Sequence, residues 1–186
     1  MLVAHETPLE GLFELECRVF GDDRGFFMET WRADRFTEAT GVEVDFVQTN
    51  LSTSSRNVIR GLHFQAPPHG QGKLVRVARG RILDVAVDLR KASPTYGQHH
   101  AVELDLRSGR QLWIPAGFAH GFLALEDDTV IEYACTALYA PAAEGSVRWD
   151  DPEIGIDWSA HLNGATPTLS DKDAAAPLLA DLDSPF

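Results

Sequence analysis

The sequence predicts a mainly β protein, an antiparallel sandwich or barrel with a few short helices. Three observations carry that expectation. Several short runs alternate apolar and polar residues with a period of two, turn residues separate them, and helical patterning is confined to two brief stretches. Val75 to Leu89 alternates but is interrupted at Arg79-Gly80-Arg81, which predicts two strands joined by a tight turn. Beyond the turn, Leu83, Val85, Val87 and Leu89 define one face, and Asp84, Ala86 and Asp88 the other. Ala101 to Leu106 repeats the pattern, with Val102, Leu104 and Leu106 inward and Glu103 and Asp105 outward. Thr129 to Tyr139 is β-branched and aromatic, again strand-like. If that strand is uninterrupted, Tyr133 and Tyr139 share a face. Ala33 to Thr40 reads as a short helix ended by Gly41. Ser170 reads as the N-cap of a second, with Asp173 at its third helical position.

The chain has 186 residues, 44% of them hydrophobic and 24% charged, which suits one folded domain spanning residues 1–186. No internal repeat, low-complexity linker or composition break divides it. With 28 acidic and 16 basic residues the net charge is −12. Such acidity excludes a broad nucleic-acid or anionic-membrane binder, because both use extended basic surfaces. An anionic ligand would have to be held by a local cluster of Lys and Arg. No run approaches the ~20 apolar residues of a membrane span, and the N-terminus lacks the pattern of a signal peptide. Cys17 and Cys135 read as reduced thiols, so the expected location is the cytoplasm.

Several chemistries lack their motifs. Gly70-Gln71-Gly72-Lys73 does not have the spacing of a phosphate loop, no serine nucleophile elbow is present, and neither cysteine has a partner at zinc-site spacing. ATP use, nicotinamide binding and covalent hydrolysis are therefore not expected. What is present is Pro115-Ala116-Gly117-Phe118-Ala119-His120-Gly121. It resembles the second motif of cupins, a jelly-roll superfamily in which that histidine ligates a metal. The first cupin motif supplies a His-x-His pair and a Glu, whereas Arg60-Gly61-Leu62-His63-Phe64-Gln65 holds a single histidine. The jelly-roll expectation survives and no metal site is expected, because a catalytic metal needs more ligands than two histidines. His120 itself reads either as a turn histidine or as a substrate contact. His63, in an apolar run between Arg60 and Gln65, is an odd choice for a core residue.

Nearly end to end, the chain resembles the dTDP-4-dehydrorhamnose 3,5-epimerases. The resemblance is carried by Val19-Phe20-Gly21-Asp22-Asp23-Arg24-Gly25-Phe26-Phe27-Met28-Glu29, by Phe46-Val47-Gln48-Thr49-Asn50 and by Asn57-Val58-Ile59-Arg60-Gly61-Leu62-His63-Phe64-Gln65. It continues through Gln71-Gly72-Lys73-Leu74-Val75-Arg76, Asp84 to Arg90, Ser93-Pro94-Thr95-Tyr96-Gly97 and Trp113 to Leu125. Tyr133, Tyr139, Glu144, Trp149-Asp150-Asp151 and Leu169-Ser170-Asp171-Lys172-Asp173 complete it.

The resemblance implies a homodimeric jelly roll whose N-terminal strands contribute to the neighbour's site. It implies a cofactor-independent inversion of the two carbons beside the C4 ketone of a dTDP-4-dehydro-6-deoxyhexose. By the same resemblance His63 is the base, Asp173 its carboxylate partner, Tyr133 the acid on the opposite face and Lys73 the stabiliser of the enolate oxygen. Arg24 and Arg60 are the pyrophosphate candidates, since the guanidinium fork fits phosphate oxygens. Phe27, Glu29, Gln48 and Asn50 match base- and sugar-binding positions, joined by His120, Tyr139 and Glu144 as substrate contacts. By residue type alone, Lys73 reads as a solvated lysine, Tyr133 as a core aromatic and Asp173 as a first-turn helix charge. The rival readings are an epimerase acting at one carbon, a metal-dependent cupin oxygenase and a sugar-nucleotide-binding module without catalysis.

Overall fold

A computed structural model describes residues 2–186. Its strands are β1 (Leu2–Glu6), β2 (Phe13–Cys17), β3 (Val19–Asp22), β4 (Gly25–Met28), β5 (Gln48–Ser54), β6 (Ile59–Gln65) and β7 (Lys73–Arg79). They continue with β8 (Arg81–Asp88), β9 (His99–Asp105), β10 (Arg110–Ile114), β11 (Phe118–Ala124), β12 (Thr129–Cys135) and β13 (Glu144–Ser146). The helices are short: α1 (Ala33–Thr40), α2 (Ser159–Leu162) and α3 (Asp171–Ala174).

A six-stranded sheet, β1-β2-β10-β7-β12-β5, faces a five-stranded sheet, β13-β6-β11-β8-β9, and β3-β4 form a separate ribbon. The strands pair antiparallel throughout. From β5 to β13 all consecutive strands but β8 and β9 lie in different sheets, the arrangement of a jelly roll. The expected turn between β7 and β8 is the single residue Gly80, and it carries the chain from one sheet to the other. At φ +78° this position favours glycine, and a Cβ here would lie 2.5 Å from Thr129 Oγ1.

Between the sheets lie Val75, Val77, Ile82, Ala86, Leu112, Phe118, Phe122 and Ile131. A second apolar layer covers the other face of the five-stranded sheet, where Leu62, Leu83, Val85, Val87 and Leu123 meet Val147, Ile154, Trp158, Leu162 and Leu179. The C-terminal segment thus acts as a lagging over β6, β11 and β8. The face opposite Leu83, Val85 and Val87 is itself covered: Asp84 and Asp88 are fully buried, because β8 is an interior strand packed on both faces. Asp88 is satisfied locally, accepting from Arg90 Nε (2.9 Å), Ser93 Oγ (2.6 Å) and Thr95 Oγ1 (2.7 Å).

The two expected helices are present. Gly41, at φ 73°, closes α1 by donating its N–H to Thr37 O at 2.9 Å. Phe36 is fully buried and anchors α1 edge-on against Trp113, a burial contributing about 2–3 kcal/mol. The Ser170 hydroxyl accepts from the Asp173 N–H at 3.1 Å and caps α3. β12, in contrast, stops at Cys135, so Tyr139 lies in the following loop and strand parity does not relate it to Tyr133. Cys17 and Cys135 are buried and unbridged. Among the described residues no helix is long and apolar enough to cross a membrane.

Candidate active site

A glycine contact sets up the site. Gly61 in β6 has φ +123°, and a Cβ there would lie 2.5 Å from Gly121 Cα and 2.7 Å from His120 O. With hydrogen in place of a side chain, β6 and β11 close together and His63 becomes the register partner of His120. From the C-terminal segment, α3 then brings Asp173 Oδ1 to 2.6 Å from His63 Nε2. A carboxylate only accepts, so the Nε2–H donates and Nδ1 is left with the basic lone pair. Asp173 is 5% exposed and His63 31%, which makes this a sheltered pair beside an open space. Burial pushes the His63 pKa down, and Asp173 pulls it back only in part.

The facing sheet supplies the other groups. Lys73 opens β7 and stands opposite Cys135 of β12. Its Nζ is 6.0 Å from the centre of the Tyr133 ring. Burial pushes the Lys73 pKa down and that of Tyr133 up. Tyr133 therefore keeps its proton at ordinary pH. Asn50 in β5 is the register partner of Tyr133, and Gln48 that of Cys135. The Gln48 amide donates to Asn50 Oδ1 at 2.9 Å, and Gln48 Oε1 accepts from the Tyr139 N–H at 2.8 Å. Tyr139 Oη donates to Glu144 Oε2 at 3.0 Å.

His63, Lys73, Tyr133, Tyr139, Glu144, Gln48 and Asn50 line one cleft of about 230 Å³. Asp173 stands behind His63. Arg60 lies at its edge, with Nε donating to Ser54 Oγ and Nη2 to Thr53 O, both at 3.0 Å. It is close enough to act on the Tyr133 phenol, lowering its pKa against the effect of burial.

Four expected site residues lie elsewhere. His120 does not line the cleft: it is 6% exposed, and its Nε2 is 2.7 Å from Asp84 Oδ1. Arg24 is paired with Asp22 at the tip of the β3–β4 ribbon. Phe27 is 68% exposed, and Glu29 lies 3.5 Å from Arg35 Nε. Phe27 and Glu29 belong to a separate concavity, shared with Phe20, Trp31 and Arg35.

The cleft also holds residues that residue-by-residue reasoning did not assign a role. Gln65 donates to His69 O and Leu138 O and accepts from the Ala140 N–H, while Gln71 donates to Ala137 O. Together they fix the loop bearing Tyr139. The signal was available, since an amide at the end of an apolar strand needs a partner. Among the described residues no group of three or more His, Cys, Asp and Glu is placed to hold a metal ion. The cleft thus joins a carboxylate-held imidazole, a protonated phenol and an ammonium, the parts needed to move a proton at carbon and steady the resulting oxyanion.

Comparison with known proteins agrees with this chemistry. Residues 6–181 match the family described as dTDP-4-dehydrorhamnose 3,5-epimerase. The chain is 50% identical over 179 residues to the dTDP-4-dehydrorhamnose 3,5-epimerase of Salmonella typhimurium, covering 96% of each. It is similar to the crystal structure of the Legionella pneumophila dTDP-6-deoxy-D-glucose-3,5-epimerase in complex with dTDP-4-keto-L-rhamnose. The TM-score there is 0.92 at 44% identity, covering 98% of this chain and 95% of that one. It is also similar to a 3'-monoepimerase from Streptomyces bikiniensis in complex with dTDP-quinovose, with a TM-score of 0.88 at 38% identity, covering 95% of this chain and 87% of that one. A match that runs nearly the full length, on a fold reproduced in solved relatives, establishes that the chain belongs to the dTDP-4-dehydrorhamnose 3,5-epimerase family.

Proposed function

We propose that this protein inverts C3 and C5 of dTDP-4-dehydro-6-deoxy-D-glucose and yields dTDP-4-dehydro-L-rhamnose. The observation that carries the reading is the His63–Asp173 pair at 2.6 Å in a cleft shared with Tyr133 and Lys73. The C4 ketone already acidifies the C–H bonds at C3 and C5, so the reaction calls for placed acids and bases. Nδ1 of His63 takes the proton and the C–H electron pair passes to the C4 oxygen as an enolate. The Lys73 ammonium stabilises that oxygen. Asp173 stabilises the imidazolium as it forms. Tyr133 then gives its phenolic proton to the opposite face of the carbon, which inverts it. Solvent returns the phenol's proton and removes the one on His63. Groups placed in this way contribute about 10²- to 10⁴-fold each to the rate.

For the nucleotide, Arg60, Gln48, Asn50, Tyr139 and Glu144 are the contacts within one chain. Arg24, Phe27 and Glu29 are read as contacts made by a second copy. Support for a homodimer comes from the β3–β4 ribbon, whose Phe20, Phe26 and Phe27 are 49%, 40% and 68% exposed, an apolar surface that calls for a partner. Residues 1–186 are read as one domain. The two unbridged thiols are in keeping with a cytoplasmic enzyme.

Similarity to a 3'-monoepimerase favours a second reading, inversion at one carbon. Turnover of the keto-sugar nucleotide in D₂O separates the two. Deuterium at both C3 and C5 is expected; label at one carbon alone would establish the second reading, and no exchange at either would remove the epimerase assignment.

A further inference from the structure

Beneath the cleft lies a buried Asp–His hydrogen bond that the reaction as described does not use. Asp84 is fully buried in the middle of β8. It shares its face with Ile82 and Ala86, which meet Val75, Val77 and Ile131 of the opposite sheet. Asp84 Oδ1 accepts from His120 Nε2 at 2.7 Å, whereas Oδ2 is buried with no hydrogen-bond partner among the described residues. Such a group is costly to fold around, and an apolar side chain would pack there more cheaply. What it faces gives the reason. His120 is the register partner of His63. Lys73 leaves β7 on the same inward face as Val75 and Val77.

Lys73 needs a counter-charge, because burial works against its ammonium. Around it stand Cys135 and Tyr133 from β12, Glu144 from β13, His63 from β6 and Asp84 from β8. Burial pushes the Cys135 thiol and the Tyr133 phenol up, so both are neutral at ordinary pH. His63 is pushed towards its neutral form and can bring only positive charge. Glu144 is already committed to Lys172 at 2.6 Å and to Tyr139. Among the described residues this leaves Asp84 as the anion with an uncommitted oxygen.

On the epimerase reading above, we propose that Asp84 is a positioning residue for the reaction. It fixes His120 through Nε2 and holds Lys73 as an ammonium where the substrate's C4 oxygen becomes negative. The buried carboxylate is thus the electrostatic floor of the oxyanion site, one layer below the groups that touch substrate.

Asp84→Asn, nearly isosteric, tests this. The Lys73 side chain is titrated by NMR in protein carrying ¹³Cε-lysine, without substrate. The midpoint is expected to fall by about one pH unit or more, and the alkaline limb of the kcat profile to fall with it. KM is expected to stay within about twofold, since Asp84 does not touch substrate. An unmoved Lys73 midpoint overturns the proposal, including the case where activity is lost for structural reasons alone. A measurement on the intact protein guards against a variant that does not fold. There Lys73 is expected to be protonated at the pH of maximal turnover, and a neutral amine at that pH overturns the proposal directly. Because the titration needs no turnover, it fails or succeeds separately from the D₂O experiment.

Discussion

Lys172 Nζ and Glu144 Oε1 meet at 2.6 Å across the rim of the cleft. The next residue along α3 is Asp173, which holds His63. Two consecutive side chains of one helical turn therefore fasten the C-terminal segment to the site, one at the rim and one inside it.

Glu144→Gln keeps the shape and removes the charge that joins Lys172 to Tyr139. With about 1 kcal/mol lost from the rim, KM is expected to rise roughly three- to tenfold and kcat to fall less. The melting temperature should stay within about 2 °C, because exposed ion pairs contribute little to stability. Steady-state kinetics beside a thermal melt measure both.

His63→Ala should lower kcat by about 10²- to 10⁴-fold while dTDP still binds, as calorimetry can show. Retained turnover would remove His63 from the role of base. Burial sets the His63 pKa below the ordinary 6.5, with Asp173 opposing. The acid limb of kcat/KM is accordingly expected below pH 6.5. Asp173→Asn takes away the partner that raises this pKa, so the limb should move lower still as the rate falls. A limb that moves upward contradicts the pairing.

Asp88 gives a prediction about acid stability. Burial works to raise its pKa, but the bonds from Arg90, Ser93 and Thr95 outweigh it and hold the carboxyl at about 2, against an ordinary 3.8. A depressed carboxyl contributes stability that is complete above its unfolded value and lost as pH falls towards 2. The contribution is about 2 kcal/mol at neutral pH. Asp88→Asn should thus lower the melting temperature by roughly 4–8 °C at pH 7 and by much less near pH 2, measured by calorimetry across that range.

The sequence made some of this legible and hid the rest for physical reasons. Gly41 and Ser170 marked helix boundaries because a left-handed C-cap and a hydroxyl N-cap are local requirements. Gly80 announced a turn, though not that β7 and β8 part into different sheets. Asp84 and Asp88 alternate with apolar residues in the manner of a half-exposed strand. Their burial depends on residues distant in sequence: the face that Asp84 shares with Ile82 and Ala86 meets Ile131 of the opposite sheet. Tyr139 lost its inferred alignment with Tyr133 when β12 ended at Cys135, yet Gln48 and Glu144 bring it to the same cleft. Motif matching found His63 and Asp173, while the contact between them depends on the docking of α3.

That docking also sets the order of events during synthesis. Strands β1 to β13 end at Ser146, so the ribosome has released every strand before Asp173 emerges. The imidazole gains its carboxylate only once α3 settles against β6. Catalytic competence is in this sense a late arrival, and turnover reports that the final segment has reached its seat.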